Sequence, residues 1–287
     1  METLEAAIKE WKASSTIIYT KHDDERHKGM TPNFERLFKL IEKNSDIFIH
    51  LGQFSKRKYE KIYPTARHKV VYHPLYSHFF KIYPKVYARE VLGIDNNSFV
   101  IIAPGTIRNF QEREMVLKSF KKFRRRDKVL IATKMRNEIE FEFPGRTRLK
   151  GFFDVRNFIV NRFERNHTPP KYLFSYGKIS FEKFSILMSA ADIVLIPRIK
   201  TLNSGNVPLG FTFDKIVVAA ETGNLTEQLK EIGLPTFDPF SISSIVGAIG
   251  EGEKLFKEGF KLPKKVIKKY EPKEVAKAMD EIFSKAF

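Results

Sequence analysis

From residue 98 onward, short runs that are apolar at nearly every position alternate with segments of helical period, and this alternation constrains the chain most. The runs are SFVIIAPG (98–105), KVLIAT (128–133), ADIVLIP (191–197) and KIVVAA (215–220). A strand apolar at every position, not every second one, is buried on both faces, the habit of parallel sheets covered by helices on each side. Helical segments fall between them at 111–124, 154–164, 180–190 and 206–213. Ser180 is placed to cap the third, with Glu182 and Lys183 in its first turn. TRLKGFF (147–153) and KYLFSYG (171–177) read as further strands. The order predicts an α/β fold with a doubly wound parallel sheet.

The first 80 residues repeat the pattern more thinly. A helix near 2–13 leads to a strand STIIYT (15–20), the polar loop KHDDERHKG (21–29) and a helix over 33–44. A strand at 46–52, a helix at 54–62 and a strand at 68–73 follow. Three strands make a slender sheet, so residues 1–80 are expected to form an incomplete domain. Pro74 and Pro84 mark a linker over 74–95. A second domain is expected over 81–265, with closing helices at 264–269 and 272–285 and Pro272 at a helix start.

Composition narrows the function. The chain has 287 residues, 42% of them hydrophobic, enough for a real core. It has no cysteine, which excludes disulfides, thiol catalysis and thiolate metal sites. No apolar run approaches the ~18 residues of a spanning helix, and no signal peptide is visible. These features fit a cytoplasmic protein, soluble or peripheral to the inner face of the cell membrane. The formal net charge of +17 favours polyanionic partners: phosphate groups, anionic lipid or nucleic acid. The basic runs KSFKKFRRRDK (118–128) and KLPKKVIKK (261–269) are solvated helix faces or a polybasic contact with an anionic membrane surface. Nucleic acid is the least favoured partner, since no RNA- or DNA-binding motif is present and aromatics do not interleave with the basic runs.

Ligands of doubly wound sheets bind at the carboxyl ends of the strands. Four loops there carry chemistry. In Pro104-Gly105-Thr106-Ile107-Arg108, Gly105 permits close approach and Arg108 offers a bidentate phosphate contact. The turn Asn203-Ser204-Gly205-Asn206 opens a helix, where backbone N–H groups and the helix dipole suit a diphosphate, or where Asn203 or Ser204 simply caps. ETGNLTE (221–227) offers Thr222, Asn224 and Glu227 to a ribose or sugar hydroxyl, or again to capping. KHDDERHKG places His22, Asp23, Asp24 and His27 after a strand. His22 or Asp23 suits acid–base work, whereas the histidine spacing has no specific metal-ligand geometry.

In order, these segments resemble bacterial GT-B glycosyltransferases of the polysaccharide type, related to the glycogen synthase-like group. YTKHDDERH (19–27) resembles that family's acceptor-side loop, with His22 and His27 matching, Asp23 in place of Asn and Arg26 in place of Pro. KVVYHPLY (69–76) resembles the interdomain strand and linker. APGTIRNFQEREMVLKSFKKF (103–123) resembles the first donor-side strand and helix, and 191–227 the donor-site segment. The resemblance implies two Rossmann-like domains, the N-terminal one incomplete, with the stretch 266–287 packing back toward it. It implies a metal-independent glycosyltransferase that needs no cofactor. The donor is a UDP- or GDP-sugar and the acceptor a saccharide or lipid-linked hydroxyl. Arg108, Gly105 and the 203–206 turn would hold the diphosphate, Glu227 would help bind the donor, and His22 with Asp23 would face the reaction centre. The family's basic residue after Arg108 falls at Gln111, leaving Arg113 or Lys134 to supply that charge. Family glutamates fall at about Thr201 and Leu209. A non-catalytic remnant that still binds nucleotide sugar, or a basic nucleic-acid-binding protein, are the alternative functions.

Overall fold

The computed structural model describes residues 2–24, 32–136, 148–149 and 153–285. His27 and Arg26 lie outside these residues. In chain order the elements are α1 (Glu2–Ser14), β1 (Ile18–Lys21), α2 (Pro32–Asn44), β2 (Ile47–His50), α3 (Gln53–Ile62), β3 (Arg67–Val70), α4 (Lys85–Leu92), β4 (Phe99–Thr106), α5 (Phe110–Lys122), β5 (Lys128–Lys134), β6 (Arg148–Leu149), β7 (Phe153–Asp154), α6 (Val155–Asn166), β8 (Tyr172–Phe174), α7 (Phe181–Ala190), β9 (Ile193–Ile196), α8 (Asn206–Thr212), β10 (Ile216–Ala220), α9 (Gly223–Lys230), β11 (Thr236–Phe237), α10 (Ile242–Lys257), α11 (Lys264–Ile267), a 3₁₀ turn (Lys268–Tyr270) and α12 (Pro272–Ser284).

The larger sheet runs β11-β10-β9-β4-β5-β8 and is parallel throughout. Counted from β4 this is the 3-2-1-4-5-6 order of dinucleotide-binding sheets, which reverses between β4 and β9. Its strands are the apolar runs of the sequence: Val100–Ala103, Leu130–Ala132, Ile193–Ile196 and Val217–Ala220 are shut away from solvent. Helix starts are set by local chemistry. Asn109 caps α5 by accepting the Glu112 N–H at 2.8 Å, and Ser180 caps α7 by accepting the Lys183 N–H at 3.2 Å.

Two elements depart from the sequence reading. The expected strand at 147–153 lies partly outside the described residues, and its described part forms a small antiparallel pair, β6 with β7, apart from the main sheet. A short edge strand β11 and the helix α10 extend the sheet and cover it beyond residue 235. Gly247, Gly250 and Gly252 interrupt the helical pattern of α10, yet Ile245, Ala248 and Ile249 still line its buried face.

The second sheet, β1-β2-β3, is parallel with β2 central. The Asp46 carboxylate accepts the Ile17 N–H at 2.8 Å and sets the start of β1. Helix α12 returns from the far end of the chain to cover this sheet: Ile282 packs with Ile47, Ile49 and Val71, flanked by Val275, Ala278 and Met279. A buried ion pair anchors the linker helix to the larger sheet. Arg89 donates to Asp192 at 2.8 Å, and the same carboxylate oxygen accepts the Val100 N–H at 2.7 Å. This pair ties α4 to the entries of β4 and β9.

Candidate functional site

The reversal between β4 and β9 sends their following loops apart and leaves a crevice at the carboxyl edge of the sheet. The N-terminal half closes it into a cleft of about 240 Å³. Arg108, Lys200, Thr201, Leu202, Thr222 and Gly223 line it from the larger sheet, and Asp23, Asp24, Phe54 and Lys58 from the smaller.

On the large-sheet side the loop after β4 carries Gly105 and Arg108. Gly105 has φ +78°, its N–H donates to Thr133 Oγ1 at 2.8 Å, and a Cβ there would stand 3.4 Å from the Asn206 amide nitrogen. Asn206 opens α8 and donates to the Pro104 carbonyl at 2.9 Å, so the two loops bordering the crevice are joined directly. Ser204 Oγ accepts the Asn206 N–H at 3.4 Å. Gly205 lies beneath the Tyr76 hydroxyl, which would be 2.7 Å from a Cβ at that position. Arg108 is fixed through its backbone: its N–H donates to Glu112 at 2.7 Å, and its carbonyl accepts from Arg136 at 3.0 Å. Lys134 ends β5 with its side chain exposed, paired in register with Thr106. Arg113, the other candidate for the charge absent at Gln111, is buried instead, with its guanidinium over the rings of Phe110 and Phe163.

The floor of the cleft comes from a tight junction. Gly223 opens α9 at φ +52°, and a Cβ there would meet the Thr201 and Leu202 carbonyls at 2.4 Å, so only glycine fits. Thr222 Oγ1 donates to the Thr201 carbonyl at 3.1 Å, which fastens the β9 and β10 loops together.

On the N-terminal side His22 Nδ1 and Asp23 Oδ2 are 2.8 Å apart. This bond raises the His22 pKa above its ordinary value, while the charge of Arg108 opposes the rise. Nδ1 bound to a carboxylate leaves Nε2 as the ring's basic position. Asp24 accepts from Tyr59 at 2.7 Å and from Lys58 at 2.6 Å.

The halves meet through buried amides. Asn203 donates to the His22 carbonyl at 2.5 Å and accepts from Asn224 at 2.6 Å. Asn224 in turn donates to Ser55 Oγ and accepts the Ser55 N–H, each at 3.0 Å. Glu227 sits beside this seam, outside the cleft lining. Its carboxylate accepts the Phe54 N–H and the Arg57 guanidinium, each at 2.9 Å, and so caps α3 from the opposite half.

The structure thus gathers Gly105, Arg108, Ser204, Gly205 and Asn206 around the crevice and brings His22 and Asp23 opposite them. The side chains of Asn203 and Glu227 hold the two halves together. Sequence reasoning passed over Lys200, although it follows a buried strand as a site residue should. It also passed over Phe54 and Lys58, whose helical surroundings carry no such signal. Among the described residues no group of three or more His, Asp or Glu is placed to hold a metal ion.

No family model matches the sequence, and comparison with curated proteins finds no match. Solved structures do match. A sucrose-phosphate synthase from Thermosynechococcus elongatus superposes with TM-score 0.68 at 15% identity, over 93% of this chain and 67% of that one. Anabaena Alr3699/HepE in complex with UDP-glucose gives 0.69 at 17%, over 98% and 75%. A UDP-forming α,α-trehalose-phosphate synthase from Burkholderia vietnamiensis gives 0.62 at 9%, over 98% and 71%. The chain has a GT-B fold. In GT-B terms the larger sheet and the three-stranded sheet are the two facing Rossmann-like halves. The cleft is the crevice between them.

Proposed function

We propose that this GT-B chain is a glycosyltransferase that moves a sugar from a nucleotide-sugar donor to a hydroxyl of a saccharide or lipid-linked acceptor, without a metal ion. The observation that carries the reading is the cleft at the strand reversal, where Arg108 and Lys200 face the His22–Asp23 pair across the two halves. Similar structures hold UDP and UDP-glucose, which supports a UDP-sugar as donor, with a GDP-sugar as the alternative. Arg108 and the 203–206 turn hold the diphosphate, and Lys200 adds charge beside it. The acceptor oxygen attacks the anomeric carbon and the bond from that carbon to the diphosphate breaks. The acceptor proton passes to His22 Nε2, with Asp23 holding the ring.

A polysaccharide or glycolipid acceptor fits a protein working at an anionic membrane surface on its cytoplasmic side. Lys264, Lys265, Lys268, Lys273 and Lys277 support this, because they stand exposed near the C-terminus without an ion pair among the described residues.

The test is transfer from a panel of UDP- and GDP-sugars, with donor binding followed by calorimetry. Arg108→Ala is expected to weaken the donor, and His22→Ala to slow turnover by roughly 10²- to 10⁴-fold with donor binding retained. Activity of the intact enzyme is expected to fall with pH through the raised His22 pKa, and this acid limb to vanish in His22→Ala. Donor binding with no turnover on any acceptor would identify a non-catalytic nucleotide-sugar-binding protein. Unchanged donor affinity in Arg108→Ala would overturn the site.

A further inference from the structure

We propose that Arg198 supplies a second positive charge to the diphosphate subsite, acting beside Arg108 from beneath the Gly105 turn. The proposal rests on the nucleotide-sugar reading above. Arg198 follows β9 at the point where the strand order reverses, and its side chain is 5% exposed. A guanidinium this deep is ordinarily matched by a full set of acceptors. Here the set is incomplete. Nη1 donates to the Thr106 carbonyl at 3.0 Å and to Glu112 Oε2 at 2.7 Å, while Nε is buried with no hydrogen-bond partner among the described residues. The same Glu112 oxygen also accepts the Arg108 backbone N–H, so this one carboxylate serves both arginines.

The turn above is open at the right place. Nη2 lies 3.7 Å from the point where a Cβ on Gly105 would stand, and the Asn206 amide nitrogen lies 3.4 Å from the same point. The missing side chain leaves a space of methyl size bounded by the Arg198 guanidinium and by both the nitrogen and, at 3.7 Å, the oxygen of the Asn206 amide. Arg108 is close enough that its charge, with burial as the larger cause, holds Arg198 below the usual guanidinium range. The Arg198 and Arg108 side chains carry two positive charges beside the single Glu112 carboxylate, which leaves a net positive charge at the crevice. A group with two or more negative charges relieves that repulsion, and a planar guanidinium matches phosphate geometry. Neither Arg113 nor Lys134 offers this: the first is buried against Phe110 and Phe163, and the second is exposed at the end of β5.

A purely structural Arg198–Glu112 pair would also be buried, so the test must separate charge from scaffolding. The affinities of UDP and UMP, with GDP and GMP in parallel, are measured by calorimetry on the full chain and on Arg198→Met, Arg198→Lys, Glu112→Gln and Arg108→Ala, each checked for folding by thermal melt. Arg198→Met is expected to lower UDP affinity roughly 10- to 100-fold, the loss of one charge-assisted hydrogen bond, and to collapse the preference for UDP over UMP. Arg198→Lys is expected to lose less. Glu112→Gln removes the competing carboxylate yet keeps an acceptor, so UDP affinity is expected to hold or rise. Equal weakening of UDP and UMP by Glu112→Gln and Arg198→Met would show that the pair only shapes the turn, and would overturn the proposal. So would unchanged UDP affinity in Arg198→Met while Arg108→Ala loses it, an outcome that leaves the donor-site reading intact. No nucleoside diphosphate binding by the unmodified chain would overturn both. If Arg198→Met fails to fold, the UDP-to-UMP preference of Arg198→Gln, which keeps polar donors but no charge, decides the matter: a reduced preference supports the charge and an unchanged one overturns it.

Discussion

The two sheets are both parallel, yet they are held together by different physics. In the larger sheet the central strands are aliphatic and sealed, and burial of apolar surface at about 25 cal/mol per Å² stabilises it. The facing sheet has a small aliphatic cluster under α12 on one side and a polar, aromatic core on the other. There Lys21 pairs with Glu42 at 2.5 Å, both buried, and Glu42 also accepts from Tyr63 at 3.0 Å. His50 and His68 stack with Phe48, and their ring nitrogens meet at 2.9 Å. The difference teaches that the larger sheet is an apolar-packed platform, whereas the facing half depends on satisfied polar pairs. Its stability therefore responds to charge and pH. The proposed division of labour follows the same line, with phosphate held on the platform and proton transfer placed on the polar half.

This contrast can be broken by experiment. The largest effect is expected from Glu42→Ala, which leaves the Lys21 ammonium buried without its partner. The expected loss is about 3–5 kcal/mol. Hydrogen exchange should rise in β1, β2 and β3 and stay low in β4, β9 and β10. A uniform rise across both sheets would show that they unfold as one body, and the contrast would fail.

The next effect is acid sensitivity. Burial is the main cause that lowers the His50 pKa to about 4, with His68, Lys56 and Lys21 adding to it and Glu60 opposing. Its ordinary value is 6.5. The unfolded chain therefore takes up a proton before the folded one does. The neutral ring's contribution is complete above pH 6.5, drains away as pH falls toward 4, and is gone below it. The loss across that window is roughly 3 kcal/mol. Denaturant melts from pH 7 to 4 should show it, and His50→Phe should remove most of the slope. An unchanged slope would place the acid sensitivity elsewhere.

The smallest effect concerns the seam. Asn224→Ala leaves the Ser55 N–H and Asn203 Oδ1 without their partner, at about 1–3 kcal/mol. Exchange at the start of α3 should increase, with the strands of the larger sheet unaffected. Protection at Ser55 equal to that of the unmodified chain would mean that the Asn224 amide contributes little to the junction.

Much of the fold could be read from local pattern. The strands of the larger sheet announced themselves because a strand buried on both faces must be apolar at each position, and Ser180 marked the start of α7 by its position alone. The crevice loops were legible for the same reason: a doubly wound sheet places its ligand where those strands end. Asn203 and Glu227 were harder. Their types and loop positions suit a ligand equally well, but their side chains serve the junction between halves, a matter of which distant segment docks there. Arg198 had the opposite problem. An arginine after a strand reads as a surface charge until packing buries it under the Gly105 turn.

The sequence by itself determined the alternation of strand and helix, the doubly wound character of the larger half and the loops able to carry a site. These follow from hydrophobic period and turn chemistry, which act over a few residues. Only the tertiary structure decided which α12 residues cover the first sheet, that Asn203, Asn224 and Glu227 bind the two halves, and that Arg198 and Glu112 lie beneath the crevice. Those outcomes rest on hydrogen bonds and ion pairs between residues far apart in the chain. Their strength comes from burial that exists only after the halves have met.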